Sequence, residues 1–293
     1  MDELKGRIVV VTGASTGIGA VAAQRIAAEG ATVICAARTL GDEADPKPGT
    51  LADVVAQIRA RGGDAHAFAL DVAKAESRGA FMDAVLARFG RVDILVNNAG
   101  ITGFGDPTIA MPEKRFRLVY EVNLFGPRDL IARALPGMVE RGYGRIVIVS
   151  STAANRAGPS ESGPPYLDWH RTGGVSAYCS SRAAINMFAR ALAAELHGSG
   201  VSVNTVAPVN SVITPVVQAA LDAGEIAADR FTAPEDPEVM AEAMLALCLV
   251  DPDRETGLTT YSGQYLEAIG RPVRGRDGQP FAARVTTAPV RYG

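Results

Sequence analysis

The stretch Thr12-Gly13-Ala14-Ser15-Thr16-Gly17-Ile18-Gly19 decides how this chain reads. A β-branched run, Ile8 to Val11, leads into it, and an amphipathic run, Ile18 to Glu29, leads out of it. A strand, a tight turn and a helix therefore follow one another without a spacer. In such a turn Gly13, Gly17 and Gly19 supply the sharp bend, close backbone approach and close helix packing. The exposed amides of Ile18 and its neighbours face outward at a helix N-terminus, which favours an anion such as a pyrophosphate. Ser15 and Thr16 add hydroxyl donors.

Outward from this turn, strands and helices alternate. Further β-branched runs span Thr32 to Cys35, Ala65 to Ala69, Ile94 to Val96, Ile146 to Val149 and Val201 to Val206, and a last strand is expected near Thr259 to Leu266. They are apolar on both faces, as strands of a parallel sheet covered on both sides must be. Amphipathic stretches lie between them: Leu51 to Arg61, Arg78 to Phe89, Phe116 to Met138, Tyr178 to His197 and Pro237 to Leu249. This alternation predicts an α/β fold, a doubly wound parallel sheet of about seven strands, as one domain over residues 1–293.

Three segments exceed that minimum. Gly41 to Thr50 is a Pro- and Asp-bearing loop, and residues 156–175 lengthen the connection before Tyr178. Residues 268–293 form a tail carrying Arg271, Arg274, Arg276, Arg284 and Arg291 against Asp277. The plainest reading of all three is solvated decoration.

Composition narrows the function. With 47% hydrophobic residues among 293, the chain can bury a large core, and its net charge of -3 gives no footprint for nucleic acid or an anionic membrane. Small molecules are the expected partners. Cys35, Cys179 and Cys248 are odd in number and far apart, so neither a disulfide framework nor a metal site is suggested, and a reducing cytoplasm fits. The N-terminus runs straight into a strand, and no apolar run reaches the roughly 18 residues of a membrane span.

Two more signals stand downstream in fixed order: Asn97-Asn98-Ala99-Gly100, and Tyr178 followed four residues later by Arg182. With the Gly13-x-x-x-Gly17-x-Gly19 spacing, they resemble the short-chain dehydrogenase/reductase family over most of the chain. That resemblance implies a Rossmann fold and a nicotinamide-dependent oxidoreductase acting on a carbonyl or secondary alcohol. Tyr178 matches the family's general acid/base. Ser151 matches the residue that hydrogen-bonds the substrate oxygen, with Ser150 structural. Asn123 matches the relay asparagine, in a helix whose kink lets a main-chain carbonyl hold water. Asp71 and Val72 match the adenine contact, Asn97 and Asn98 the segment lining the cofactor, and Thr214 the nicotinamide contact. Val209 stands where the family has glycine. The Gly41 to Thr50 insertion and the spacing from Pro208 to Thr214 are similar to the hydroxysteroid dehydrogenase-like branch, which implies a bulky or lipid-like substrate. The resemblance also implies a homodimer or homotetramer built on the Asn123 and Tyr178 helices.

Several of these positions can be argued from chemistry. A phenol with a reference pKa of about 10 yields its proton slowly near neutral pH unless a cation supports the phenolate, and residues four apart on a helix share a face. Arg182 supplies that cation where the family has lysine, and the resemblance also sets Tyr178 and Arg182 against the cofactor. A guanidinium keeps the charge but is planar and never deprotonated, so electrostatic support survives the exchange while proton relay and the grip on the ribose need not. Pro127 lacks the amide that would bond the Asn123 carbonyl. Arg38, about 25 residues beyond Gly13 at the end of the second strand, is placed to meet a 2'-phosphate, which favours NADP(H) over NAD(H). As a plain structural residue Arg38 is a solvated strand-end charge. Tyr166, with His170 four residues later, is a rival proton donor, although Pro164, Pro165, Gly173 and Gly174 argue for a loop wall over the pocket. Val216 to Phe231 reads as a mobile flap. The competing functional class is a dinucleotide-binding or sensor protein that has lost turnover.

Overall fold

The computed structural model describes residues 2–45, 47–102, 106–155, 174–224 and 234–286. The strands are β1 (Ile8–Thr12), β2 (Thr32–Ala37), β3 (Asp64–Ala69), β4 (Ile94–Asn97), β5 (Gly144–Val149), β6 (Val201–Ala207) and β7 (Thr259–Tyr261). They form one sheet in the order β3-β2-β1-β4-β5-β6-β7, every neighbouring pair parallel. The chain runs outward one way from β1 and restarts at β4 on the other side, so the strand order reverses between β1 and β4. At such a switch point the connections diverge and leave a crevice at the carboxyl ends of the strands. The glycine turn leaves β1 there, and Asn98 to Gly100 leave β4 beside it.

The pleat sorts the apolar side chains. Val9 and Val11 enter one core with α1 (Gly17–Ala27), α2 (Leu51–Ala60) and the helix Pro237–Cys248; Val10 and Ile34 enter the other with α3 (Ala75–Phe89) and the helices that follow β4 and β5. Each fully buried Val or Ile is worth about 1.5–3 kcal/mol, so the period-two pattern fixes the register strongly. Thr50 ends the Gly41 to Thr50 loop as the cap of α2, its hydroxyl accepting from Asp53 N at 3.3 Å.

Two expectations are corrected. The single helix expected from Phe116 to Met138 is α4 (Glu113–Tyr120), a π-helical turn (Glu121–Phe125) and α5 (Gly126–Glu140). Pro127 offers no amide, and the Gly126 amide reaches back five residues to the Glu121 carbonyl. The last strand stops at Tyr261 instead of continuing to Leu266. Ser262–Ala268 is a helix, and the buried Ser262 hydroxyl donates to Glu235. The remaining helices are α6 (Ser176–Glu195), α7 (Pro215–Asp222) and α8 (Pro237–Cys248), so Ser262–Ala268 is α9. No helix among the described residues is long and apolar enough to cross a membrane.

The tail is also more than decoration. Arg271 donates to Glu242 at 2.6 Å and Glu3 at 2.7 Å, Arg276 to Glu238 at 2.9 Å, and Arg284 to Asp236 at 2.9 Å. Glu242 is fully buried and also takes Arg25 at 2.7 Å, while Arg25 holds Glu29 at 2.8 Å. A buried carboxylate needs such partners because its desolvation costs several kcal/mol. Arg291 lies outside the described residues.

Candidate active site

The cofactor half of the site is built on the turn after β1. Gly13 and Gly17 have φ of +67° and +57°, a region L side chains rarely adopt. A Cβ at Gly13 would stand 2.9 Å from Asn98 Nδ2 and 3.0 Å from Ala99 Cα. At Gly19 it would run into the Gly13 carbonyl and Asn98 Nδ2. Asn98 is the brace of this turn: its Nδ2 donates to Thr12 O at 2.9 Å, and its amide donates to Thr12 Oγ1 at 3.0 Å. Thr16 sits at the N-cap of α1 in extended conformation without a capping side-chain bond, so the first amides of α1 receive no cap from it. A close-packed turn opening on an uncapped helix N-terminus fits a phosphate-bearing cofactor.

Gly19→Ala tests the packing independently of function. Alanine gains about 1 kcal/mol of helix propensity, but its methyl meets a backbone carbonyl that cannot swing aside. Unfolding free energy is expected to fall by about 1–3 kcal/mol, read as a lower urea midpoint with unchanged slope.

The other positions expected to face a cofactor fall within this turn or on strand ends and loops beyond it. Arg38 is exposed just past the end of β2 at Ala37; within β2, the Ala36 carbonyl accepts from Gly13 N at 2.7 Å. Asp71 spends Oδ1 on the Ala73 amide at 3.1 Å, and buried Val72 packs against Gly126. Ser15, Thr16 and Ile18 are half-buried. Thr214 caps α7, its hydroxyl accepting from Val217 N at 3.3 Å, and its methyl lies 3.0 Å from where a Gly17 Cβ would stand. The loop after β6 is thereby seated on the glycine turn.

The chemical half gathers where β4, β5, the π-turn and α6 meet. Arg182 is buried at 5% exposure, and its guanidinium carbon lies 5.3 Å from the Tyr178 ring centroid. Its Nη1 donates to the Val149 carbonyl at 3.0 Å, and Nη2 occupies the space a Gly100 side chain would need. Nε has no hydrogen-bond partner among the described residues. The cation is thus pinned at the end of β5, two residues before Ser151, beneath the turn after β4 and against the tyrosine ring. Ser151 is half-buried, with Oγ accepting from Ala153 N at 3.1 Å; Ser150 is buried.

Asn123 is fully buried in the π-turn. Its Oδ1 accepts from Ile101 N at 3.0 Å, while Nδ2 donates to Ile101 O at 2.9 Å and Ser181 Oγ at 3.1 Å. Ser181 in turn donates to Tyr178 O at 2.8 Å. Ser181 was not singled out from sequence, though its spacing of three from Tyr178 put it on the same helical face. Glu235 was also passed over, an acid between prolines that reads as solvated yet is 1% exposed. Tyr166, Trp169 and His170 lie outside the described residues, as does the flap from residue 225 to 231.

Comparison with known proteins agrees with this geometry. The sequence profile of short chain dehydrogenases matches residues 7–167 and 169–223. A short chain dehydrogenase of Pseudocercospora fijiensis is 38% identical over 201 residues, 68% of this chain and 58% of that one. The matched segment spans little more than half the length of the first curated relatives. Among solved structures, actinorhodin polyketide ketoreductase with NADPH superposes with a TM-score of 0.71 at 29% identity, covering 87% of this chain and 95% of that one. A metagenomic short-chain oxidoreductase in complex with NADP gives 0.68 at 29% identity, covering 88% and 98%. By sequence match, sheet order and the turn after β1, this chain belongs to the short-chain dehydrogenase family.

Proposed function

We propose that the protein is an NADP(H)-preferring oxidoreductase that interconverts a carbonyl and a secondary alcohol, with Tyr178 as general acid/base. The observation that carries this reading is the buried Arg182 guanidinium, held by Val149 and Gly100 against the Tyr178 ring. A fixed positive charge beside a phenol stabilises the negative charge that develops when the phenol gives up its proton. The bound nicotinamide would supply or accept the hydride. In the reducing direction Tyr178 donates its proton to the carbonyl oxygen, and Ser151 donates a hydrogen bond to the same oxygen. In the oxidising direction Tyr178 takes that proton back. Asn123 fastens Ile101 and Ser181, and its carbonyl, deprived of an α-helical partner by Pro127, accepts the relay water. The glycine turn, Ser15, Thr16, Ile18, Asp71, Val72, Asn98 and Thr214 hold the dinucleotide.

Arg38 supports NADP(H), as do the phosphorylated dinucleotides in two structural neighbours. Fluorescence titration with NADPH and NADH in parallel tests it. NADPH is expected to bind more tightly, and Arg38→Ala to weaken NADPH by about 10- to 100-fold, equivalent to one or two charge-assisted hydrogen bonds, while leaving NADH unchanged. Preference for NADH would overturn the cofactor reading.

The substrate is a small molecule, bulky and apolar in the reading drawn from the loops. A homodimer or homotetramer is supported by Leu118, Phe125 and Val139, exposed on the helices around Asn123, and Met187, exposed on α6. A cytoplasmic setting is supported by the odd number and wide separation of Cys35, Cys179 and Cys248, which form no disulfide framework.

A further inference from the structure

The loop from Pro208 to Thr214 connects β6 to α7 and rests on the glycine turn through Thr214. Its position is fixed from behind by one carboxyl group. Glu235 Oε2 accepts from Val209 N at 3.2 Å, and Oε1 accepts from the buried Ser262 hydroxyl at the start of α9. The Glu235 amide donates to Ser211 O at 3.0 Å, and Val212 pairs with Glu235 as a parallel bridge. The tail joins the same assembly, with Asn210 Nδ2 donating to Thr286 Oγ1 at 3.2 Å. Two segments distant in sequence, the loop after β6 and the start of α9, thus meet at Glu235, and the tail braces the same loop through Asn210.

We propose that Glu235 is a positioning residue for the reaction: its carboxyl fastens the loop after β6, and through that loop seats Thr214 against the cofactor turn. This rests on the dinucleotide reading above. The side chain acts through the Val209 amide, while the main-chain bridge to Val212 holds the same loop beside it.

The site's electrostatics give the device a pH dependence. Burial pushes the Glu235 carboxyl up to about 7, against the opposing pull of the Ser262 hydroxyl and the Val209 and Asn210 amides, and neighbouring Asp236 adds to the rise. Asp236 is itself paired with Arg284, and on α8 Glu238 is paired with Arg276. A carboxyl raised from 4.5 favours the packed arrangement when protonated. The stabilisation is complete below about 4.5 and is lost as pH rises through about 7. Across that interval charge on Glu235 increasingly favours releasing the loop, and above about 7 the effect is constant.

The test compares the full-length protein with Glu235→Gln, which keeps an acceptor for Val209 without titrating, and Glu235→Ala, which does not. NADPH Kd is measured by fluorescence from pH 5.5 to 8.5. For the parent it is expected to rise from pH 5.5 to about 7, by at most about tenfold per unit, and to level off above that. Glu235→Gln is expected to stay flat and tight, and Glu235→Ala to bind weakly at every pH. Without cofactor, the unfolding temperature of the parent is expected to fall relative to Glu235→Gln as pH rises toward about 7 and to level off above it. Glu235→Ala binding NADPH as tightly as the parent across this range would overturn the role of Glu235 alone. Failure of the parent to bind NADPH at any pH would overturn the cofactor reading and this one with it.

Discussion

Changing Tyr178 to Phe is expected to lower kcat by about 10³-fold, within the 10²–10⁴-fold that a positioned proton donor contributes. The substitution removes one oxygen and leaves the ring, which faces the Arg182 guanidinium at 5.3 Å. NADPH affinity, in the reading proposed above a property of the glycine turn after β1, is expected to stay within a few-fold. The split between kcat and Kd is the informative readout. If kcat fell only a few-fold, the proton would have to come from elsewhere, and Tyr166 would be the first residue to exchange next.

Removing the cation should cost nearly as much. Arg182→Met is expected to reduce kcat by about 10²–10³-fold, the range for losing a preorganised charge that stabilises a developing anion. The longer-lived question is the conservative change. Arg182→Lys keeps the charge but loses the planar fork that reaches Val149 at 3.0 Å and fills the space beside Gly100. It is expected to fall between the parent and Arg182→Met, about 10-fold below the parent. A lysine variant faster than the parent would identify a nucleotide-binding protein whose turnover has been impaired by its arginine. Single-turnover measurements at saturating cofactor check both variants without interference from product release.

The fold was legible because its signal is repetitive. Val9, Val10 and Val11 alternate between two cores, and six of the seven strands lie within about three residues of the runs that announce them. Strand β7 was overextended because Leu266 and its neighbours look apolar enough for a strand; what ends it is Ser262 turning to Glu235, a contact from 27 residues away. The π-turn was legible only as a proline kink, since hydrophobic spacing cannot distinguish an i−5 bond from an i−4 bond. Asn123 was found through the family pattern, but its grip on Ser181 spans 58 residues and is visible only in space. The tail arginines gave no hint of their partners, because Glu3, Glu238 and Glu242 read locally as ordinary helical or terminal acids. Long-range polar pairing, unlike apolar periodicity, has no local signature.

That pairing has a bearing on the order in which the molecule is made. Arg25 on α1 faces Glu242, 217 residues later, and Glu3 meets Arg271, 268 residues later. Chains emerge from the ribosome N-terminus first, and contacts between distant residues form slowly. While β1, α1 and β2 are already synthesised, Arg25 has Glu29 within reach but Glu242 does not yet exist. The helix that is to carry the cofactor turn must therefore wait, partly solvated, for α8 to arrive. In this protein the first half of the nucleotide cradle is written early and finished last, so truncation near the C-terminus should be felt at residue 25 before it is felt at Tyr178.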